Sequence, residues 1–390
     1  MASIENTNSE PTRHTGIPVS TYTLMHADEI IAIAHRESNS VDIIIPKKLP
    51  FGLRNSQSSI NYIDFTEWLN KRVGNLQRSY MNKVYMARQV GRNLENILRD
   101  SCALSITDKF WVNHSDINTT WAKLQEKRDS NEILNNVALT GETAHLDWEK
   151  VKEGTTSLFA TKGNFPKAIQ GNTMLKRGGT QEREWIATVI GKALDLPVQN
   201  AVIINSDISP IPDNPSETDN TLVQINLFTD ENTSLVHASE LFANNPDWSE
   251  ACHNGMRHRY FYDRLPDESM KHDFEQVLIL NWLVSNHDMH EENFGCLYDP
   301  DTFIITGIAP SFDHNSSDYD GLIPDIDVPD IVVPSLIYHK DVIEKIKVGK
   351  LENALSEISN WLTEEQKQGI RNVANELISE YEKQITESEV

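Results

Sequence analysis

The spacing of hydrophobic residues changes along the chain and predicts three successive parts. Residues 64–100 carry apolar side chains every three or four positions, as amphipathic helices do. Short runs of β-prone residues begin near residue 151, and helical spacing returns from about residue 233. The pattern therefore predicts a mostly helical N-terminal domain over 1–150, a β-rich unit over 151–232 and a helical unit over 233–390.

Individual elements can be predicted within the second and third parts. The expected strands lie at 157–160, 173–176, 201–204 and 222–228. Residues 184–194 place their apolar side chains on one broad helix face. An acidic, proline-rich stretch over 206–220 is expected to be a surface loop. Residues 272–284 are apolar enough for a buried helix and lead directly into a polar loop, while 342–361 and 363–383 are expected to be amphipathic helices.

The composition is that of a soluble globular protein. The 390 residues are 38% hydrophobic and 24% charged, no stretch is apolar enough to span a membrane, and the polar start does not resemble a secretory signal. Three scattered cysteines fit neither a disulfide framework nor a zinc-binding spacing. We therefore expect a cytoplasmic protein.

The net charge of −23 argues against direct nucleic-acid binding by this chain alone. It is compatible with a basic protein partner or with solubility alone. Residues 71–99 differ from the rest, because they contain seven basic residues and a single acidic one, Glu95. This basic stretch is either a solvated helix face or a contact surface for acidic groups, on a partner or on the acidic second half of the chain.

Polar residues after the predicted buried helix have the types and spacing that phosphoryl transfer requires. Asn293 follows Asp288 by five positions, and a strand-like stretch over 303–308 leads to Asp313. In protein kinases an Asp deprotonates the acceptor hydroxyl, while an Asn and a second Asp hold magnesium. A lone D-x-x-x-x-N is common in loops, but the combination predicts Asp288 as catalytic residue and Asn293 and Asp313 as Mg²⁺ ligands. The serines and Tyr319 beyond suit a mobile activation-type segment, open to phosphorylation.

A kinase also needs a lysine that holds the ATP phosphates and a glutamate that positions this lysine. Lys176 ends a predicted strand, and Glu184 begins the following helix, with Glu182 as second choice. Each alone has an ordinary alternative, as a surface lysine and a helix-start acid. No glycine-rich phosphate loop is present, and the turn-rich stretch that contains Gly163 and Lys167 is the candidate to replace it.

These segments resemble the HipA-like serine/threonine kinases. The family's catalytic loop has the form N-x-D-x-H-x-x-N-x-G, and residues 286–295 read NHDMHEENFG, with Asn286 and His290 as structural residues of the loop. Residues 309–313 read APSFD, similar to the family's A-P-x-[FY]-D segment. Residues 163–167 are similar to its G-x-x-P-K loop.

The resemblance covers about residues 160–315 and implies both a fold and an activity. The fold is α+β and two-lobed, protein-kinase-like of the HipA or phosphoinositide-kinase type, with a helical C-terminal lobe and an extra, mostly helical N-terminal domain. The activity is that of an ATP- and Mg²⁺-dependent serine/threonine protein kinase capable of autophosphorylation. Members often act as toxins in toxin–antitoxin pairs, which implies a small basic antitoxin-like partner. Residues 1–150 do not match the β-rich N-terminal part of the founding members, so their mode of antitoxin binding does not carry over.

Other functions fit parts of the pattern. A pseudokinase or nucleotide-sensing protein would share the fold, but Asp288, Asn293 and Asp313 are all present. A small-molecule or lipid kinase of the same fold is disfavoured because no basic motif for anionic lipid stands out in the C-terminal half. A metal-dependent hydrolase that uses the histidines of the polar loop lacks a known ligand spacing.

Overall fold

The computed structural model of the protein describes residues 20–54, 60–114, 119–144, 146–178, 180–204 and 221–388. The proline-rich loop predicted over 206–220 lies outside these described residues. Within them, the chain forms three antiparallel sheets connected by α-helices. No helix of the described ranges is long and apolar enough to cross a membrane.

The N-terminal part combines a small sheet with short helices. Its elements are β1 (Thr21–His26), β2 (Glu29–His35), β3 (Ser40–Ile43), α1 (Tyr62–Lys71), α2 (Met81–Arg88), α3 (Leu94–Ser101), β4 (Phe110–Asn113), α4 (Trp121–Lys127), α5 (Glu132–Thr140) and α6 (Trp148–Val151). The strands pair in the order β3-β2-β1-β4. Helices predominate, as predicted, but the sequence pattern does not reveal the sheet. Ile31 and Ala32 of β2 are both buried, so both faces are covered and the alternation of a half-exposed strand is absent.

The predicted N-terminal helical stretch consists of three helices, α1 to α3, separated near Gly74 and Gly91. At Gly74 a β-carbon would lie 1.8 Å from the carbonyl oxygen of Thr161, so two backbone segments approach too closely for any other residue. At the start of α1, the side chains of Asn61 and Asp64 each accept a hydrogen bond from the other's backbone N–H. This reciprocal capping stabilises the helix start.

The basic stretch noted in the sequence is not a uniformly solvated helix face. Arg72, Arg78 and Arg88 are buried. Arg72 donates to both carboxylate oxygens of Asp108, at 2.7 and 2.9 Å, and Arg88 donates to both of Asp100, at 3.0 and 2.8 Å. Such bidentate pairs are strong and geometrically specific. These arginines therefore stabilise the fold internally and offer no surface to an acidic partner.

The β-rich unit forms a second sheet that carries one long helix. Its elements are β5 (Lys167–Gln170), β6 (Thr173–Arg177), α7 (Glu182–Leu194), β7 (Ala201–Ile204) and β8 (Leu222–Asn226). The strands pair in the order β5-β6-β8-β7. Helix α7 packs against β7 and β8, and α5 packs against β5. The prediction of a strand over 157–160 is wrong, because Leu158–Ala160 form a 3₁₀ turn. Leu158 and Phe159 are both buried, and a short apolar run does not distinguish the two conformations.

The C-terminal part is mostly helical around a three-stranded sheet. Its elements are β9 (Ser234–His237), α8 (Ala238–Leu241), α9 (Pro246–His253), α10 (Arg257–Tyr262), α11 (Glu268–Leu283), β10 (Gly295–Tyr298), β11 (Ile305–Ile308), α12 (Val328–Ser335), α13 (Lys340–Lys347), α14 (Lys350–Glu357) and α15 (Glu364–Ser388). The strands pair in the order β11-β10-β9. Helix α11 is buried along most of its length, as predicted. The single helix predicted over 342–361 is two helices, separated at Gly349, whose φ is 81°.

Candidate active site

Buried amides hold the predicted catalytic loop against the end of α11. Asn281 donates through Nδ2 to the Ser311 hydroxyl at 2.7 Å, and its Oδ1 accepts from Asn286 Nδ2 at 2.8 Å. Asn286 Oδ1 in turn accepts from the backbone N–H of Asp288 at 3.3 Å. Satisfied buried polar networks restrict the conformations of the groups they join. This network therefore connects the loop that carries Asp288 to the segment that carries Asp313.

Lys176, at the end of β6, lies between two carboxylates. Its Nζ is 2.5 Å from Glu184 Oε1 and 2.8 Å from Asp313 Oδ1. Of the two candidate glutamates in α7, Glu184 and Glu182, it is Glu184 that contacts this lysine. Glu184 Oε2 also accepts from the backbone N–H of His314 at 3.1 Å. The cluster thus joins β6, α7 and the segment that follows β11.

Opposing effects set the pKa values in this cluster. Burial disfavours the charged Lys176, but the attraction of Asp313 and Glu184 outweighs it and raises the pKa of this lysine above its usual value. Burial also disfavours the Asp313 carboxylate, but Lys176 and Lys167 lower the pKa of Asp313 well below its usual range. Asp313 is therefore a carboxylate at neutral pH, the form that binds a cation.

Asn293 and Asp313 offer hard oxygen atoms to a metal ion. Asn293 Nδ2 donates to the carbonyl oxygen of Asp288 at 2.7 Å, which presents Oδ1 as the coordinating atom of the amide. Asp313 keeps 27% of its side chain exposed. Its φ is 59°, a conformation that non-glycine residues rarely adopt and that clusters at functional sites. This donor set fits magnesium, which prefers oxygen ligands and retains several waters.

One cleft of about 590 Å³ brings these groups together. The sequence-predicted residues that line it are Gly163, Lys167, Lys176, Asp288, His290, Asn293 and Asp313. Two others, Glu184 and Asn286, do not line the cleft. Both are buried, with 3% and 0% of their surface exposed. A volume of this size suits a nucleotide-sized ligand. The cleft lies between the sheet of the β-rich unit and the catalytic loop.

The loop before β5 reaches the catalytic loop across this cleft. Gly163 has a φ of 89°, and a β-carbon there would lie 2.8 Å from Lys167 Nζ. Lys167 Nζ donates to the carbonyl oxygen of Lys162. Burial and the neighbouring charge of Lys176 lower the pKa of Lys167 to about 7. The Lys162 ammonium pairs with Glu292 of the catalytic loop, which links the two loops directly.

The histidines of the catalytic loop make local contacts and do not share a metal site. His290 Nδ1 accepts from the backbone N–H of Glu292 at 3.2 Å, and His287 Nε2 lies 3.4 Å from Asp320 Oδ1. Among the described residues, the groups with ligand atoms close enough for one ion are His272–Glu275–His339 and His258–Asp325–Asp327. Neither group includes a histidine of this loop.

The segment after Asp313 is attached to the C-terminal part. Tyr319 is 1% exposed. Its backbone N–H donates to the carbonyl oxygen of Val284 at 3.3 Å, and that of Asp318 donates to Ser285 at 3.1 Å. The structure therefore buries Tyr319 within this segment. The expectation of a mobile, phosphorylated activation-type segment stays a prediction.

Several residues that build the site were not identified from the sequence. Asn281 could have been identified from the sequence, because a polar residue inside an apolar helix needs a buried hydrogen-bond partner. Ser311 supplies that partner. Phe312 packs against Phe228 and His237, with ring centroids 5.5 and 6.1 Å apart. These aromatic contacts join distant chain segments, so no local pattern indicates them.

No protein-family model matches this sequence, and no curated protein matches it. The structure is similar to HipA of the Shewanella oneidensis MR-1 toxin–antitoxin system, solved with HipB and operator DNA. The TM-score is 0.53 at 12% sequence identity, over 93% of this chain and 97% of that chain. It also matches the proinflammatory kinase CtkA of Helicobacter pylori, with a TM-score of 0.39 at 18% identity, over 58% of this chain and 95% of that chain.

The similarity to HipA establishes the fold class. The protein has a two-lobed, kinase-like α+β fold with a helical C-terminal lobe. The matched region covers 93% of the chain and so extends well beyond residues 160–315, which carry the motifs. Residues 1–150 are mostly helical in their described ranges, as expected, and β1 to β4 add a small sheet that the sequence pattern did not reveal.

Proposed function

We propose that this protein is an ATP- and magnesium-dependent serine/threonine protein kinase. One observation carries the proposal: the buried Lys176, held by Glu184 and Asp313, lies in the same cleft as Asp288 and Asn293. A lysine–glutamate pair opposite an Asp/Asn/Asp set is the arrangement by which kinases position ATP and stabilise the charge on the transferred group. The HipA-like fold supports this function by analogy.

The lysine cluster is proposed to bind the phosphates of ATP. A lysine ammonium has three N–H donors, and Glu184 and Asp313 accept from Lys176 at 2.5 and 2.8 Å. The third donor of Lys176 is the one proposed to bind an ATP phosphate. Magnesium bound to Asn293 Oδ1 and the Asp313 carboxylate would neutralise phosphate charge. The backbone N–H groups around Gly163 are proposed to cover the phosphates.

Asp288 is proposed to act on the acceptor. Its carboxylate is 52% exposed in the cleft, which leaves room for a substrate hydroxyl. The carboxylate orients that hydroxyl and takes its proton as the oxygen attacks the γ-phosphorus. Asn286 and Asn281 position the backbone of Asp288 through their hydrogen bonds. General-base catalysis of this kind typically contributes about 10²- to 10⁴-fold in rate.

Incubation with γ-labelled ATP and magnesium tests the proposal. The wild type is compared with Asp288→Asn and Asp313→Asn. Asp301→Asn is the control, because its side chain is 77% exposed and does not line the cleft. We expect the wild type and the control to label protein and release ADP, and neither site variant to do so. A thermal shift with ATP should persist in Asp288→Asn, because the phosphate-binding groups remain.

Other outcomes would favour the alternative functions. Magnesium-dependent ATP binding without any phosphoryl transfer indicates a nucleotide-sensing protein. ADP release with the label recovered as inorganic phosphate indicates transfer to water. Label recovered on an added small molecule or lipid, with none on protein, indicates a small-molecule or lipid acceptor. A wild type that neither binds nor hydrolyses ATP contradicts the kinase assignment.

We also propose that the protein acts in the cytoplasm with a small basic partner and does not itself bind nucleic acid. The net charge of −23 supports an electrostatic interaction with a basic protein, and HipA was solved together with HipB and operator DNA. Affinity purification from native cells should recover the partner at about 0.1 M salt and lose it at about 1 M, because surface charges are then screened. Recovery of no basic protein at low salt would contradict the proposal.

A further inference from the structure

Two histidines and a glutamate form a cluster where α11 meets the start of α13. His272 and Glu275 lie one turn apart on α11, and His339 directly precedes α13. Each of the three side chains offers one ligand atom, and these atoms lie within 4.8 Å of one another. None of the three residues lines the cleft described above. Two imidazoles and a carboxylate are a donor set that binds Zn²⁺ in proteins.

The buried half of this cluster is positioned as metal ligands are. His339 Nε2 lies 2.8 Å from Glu275 Oε2, and the hydroxyl of Tyr262 donates to Glu275 Oε1 at 2.6 Å. An outer hydrogen bond of this kind orients a ligating carboxylate. His339 is 1% exposed, and its Nδ1 has no hydrogen-bond partner among the described residues. The tautomer of this ring is therefore not fixed through Nδ1, and Nε2 can give up its proton to bind a metal ion.

His272 supplies the exposed side of the cluster. Its ring is stacked on that of His339, with centroids 4.3 Å apart and planes 8° apart. Burial and the neighbouring His339 lower the pKa of His272, which favours the neutral imidazole that ligates metals. The amide of Gln276 donates to His272 Nε2 at 3.3 Å, so this nitrogen carries a lone pair. Because His272 is partly exposed, an ion and a water molecule can reach it from solvent.

Small side-chain movements would complete the site. Ligand atoms about 2.1 Å from a tetrahedral ion lie about 3.4 Å from one another. The contact between His339 and Glu275 must therefore lengthen by about half an ångström from 2.8 Å. The separation from His272, which is at most 4.8 Å, must shorten by up to about 1.4 Å. Rotation of the partly exposed His272 ring supplies most of this change.

The other cluster of this kind among the described residues is less suited to an ion. His258 Nδ1 lies 2.8 Å from Asp327 Oδ1, and His258 Nε2 lies 3.0 Å from the carbonyl oxygen of Met289. Both ring nitrogens are therefore engaged, and the ring is fully buried. An ion there would have to displace a buried hydrogen bond, which is costly.

We propose that His272, Glu275 and His339 bind a Zn²⁺ ion, with water as the fourth ligand. The ion takes the place of the proton that His339 Nε2 donates to Glu275, and it joins α11 to the start of α13. Because α11 leads directly into the loop that carries Asp288, the ion stabilises the helix on which that loop is built. The inference does not depend on the proposed kinase function, since the three ligands lie outside the cleft.

Metal titration of the full chain tests this site. Protein treated with a chelator and then freed of it is titrated with Co²⁺, whose visible absorption reports its coordination, and Zn²⁺ is added in competition. Excess Mg²⁺ occupies the oxygen ligands of the cleft throughout. The variants are Glu275→Gln and His272→Gln, and the control is His253→Gln, an exposed histidine on α9. Glu275→Gln keeps the size of the side chain and can still hydrogen-bond to Tyr262 and His339, so the fold persists; circular dichroism checks this.

We expect the wild type and His253→Gln to bind one equivalent of Co²⁺ that Zn²⁺ displaces. Zn²⁺ should raise their thermal unfolding temperature by several degrees, because it binds the folded chain. Glu275→Gln and His272→Gln should lose at least about tenfold in metal affinity, and Zn²⁺ should no longer shift their unfolding. A wild type that binds no ion, wild-type affinity in both site variants, or an equal loss in His253→Gln would each overturn the inference.

Discussion

Replacing Lys176 with methionine tests whether the charge cluster at the cleft works as described. The substitution keeps an unbranched side chain but removes the positive charge between Glu184 and Asp313. Removing one partner of a buried ion pair costs about 3–5 kcal/mol, because the remaining charge is left unpaired. The Glu184 side chain is 3% exposed and that of Asp313 is 27% exposed. Since Asp313 keeps some hydration, we expect the unfolding free energy to fall by about 3 kcal/mol, the lower end of that range.

Urea unfolding followed by circular dichroism measures this loss, with Lys123→Met on exposed α4 as the control. In the double variant Lys176→Met/Glu184→Gln the unpaired buried carboxylate is gone. It should therefore be more stable than Lys176→Met alone, because the losses of the two substitutions do not add when the residues pair with each other. ATP binding and phosphoryl transfer should stay lost in both variants, because both lack the ammonium that we propose to bind a phosphate.

The single variant Glu184→Gln completes the comparison. A double variant whose loss in unfolding free energy equals the sum of the losses in Lys176→Met and Glu184→Gln would refute the idea that Lys176 and Glu184 compensate each other. Wild-type transfer by Lys176→Met would refute the phosphate-binding role of the lysine and direct attention to Lys167, which lines the same cleft.

Three further predictions follow from buried or constrained positions. Asn281→Leu leaves the Ser311 hydroxyl without its partner, so we expect a loss of about 1–3 kcal/mol in urea unfolding and a larger loss in phosphoryl transfer than in ATP binding. Gly163→Ala should weaken ATP binding about tenfold in a thermal-shift titration, because the φ of Gly163 is 89° and strains any other residue. Gly307→Ala is the control and should bind ATP normally, because a β-carbon there meets open space. Equal ATP affinities in the two variants would contradict a role for the backbone conformation of Gly163. Burial lowers the pKa of His26 from 6.5 to about 4, so the unfolded chain binds the proton first and stability falls as the pH drops from about 6.5 to about 4. The loss from this residue is up to about 3 kcal/mol at about 1.4 kcal/mol per pH unit. His26→Leu should reduce the pH dependence in urea unfolding by that amount, while His114 and His237, whose pKa values burial also lowers to about 4, keep the rest.

Local patterns account for the parts of the site that lie close together in sequence. Asp288 and Asn293 belong to one loop, and the apolar helix α11 in front of it is long enough to be recognised by its period. Helix α7 was recognised in the same way. By contrast, β2 escaped prediction because the neighbouring Ile31 and Ala32 are both buried, which removes the alternation that marks a half-exposed strand.

The basic residues near the N-terminus show why charge alone is a poor guide to surfaces. Arg72 and Arg88 look in the sequence like members of a solvated helix face. In the fold they lie inside, because Asp108 and Asp100 supply carboxylates that compensate their burial. Whether a charged residue is buried depends on a partner elsewhere in the chain, and local spacing carries no information about that partner.

The sequence by itself determined which residues could carry the chemistry. The spacing of Asp288, Asn293 and Asp313 after a buried helix is local information, since loop geometry and helix periodicity depend on near neighbours. The tertiary structure alone decided how these residues meet. Lys176 contacts Asp313 across 137 positions, and Ser316 reaches Asp288 across 28. Such contacts form only when separate elements pack together, because packing depends on complementary surfaces and the exclusion of water.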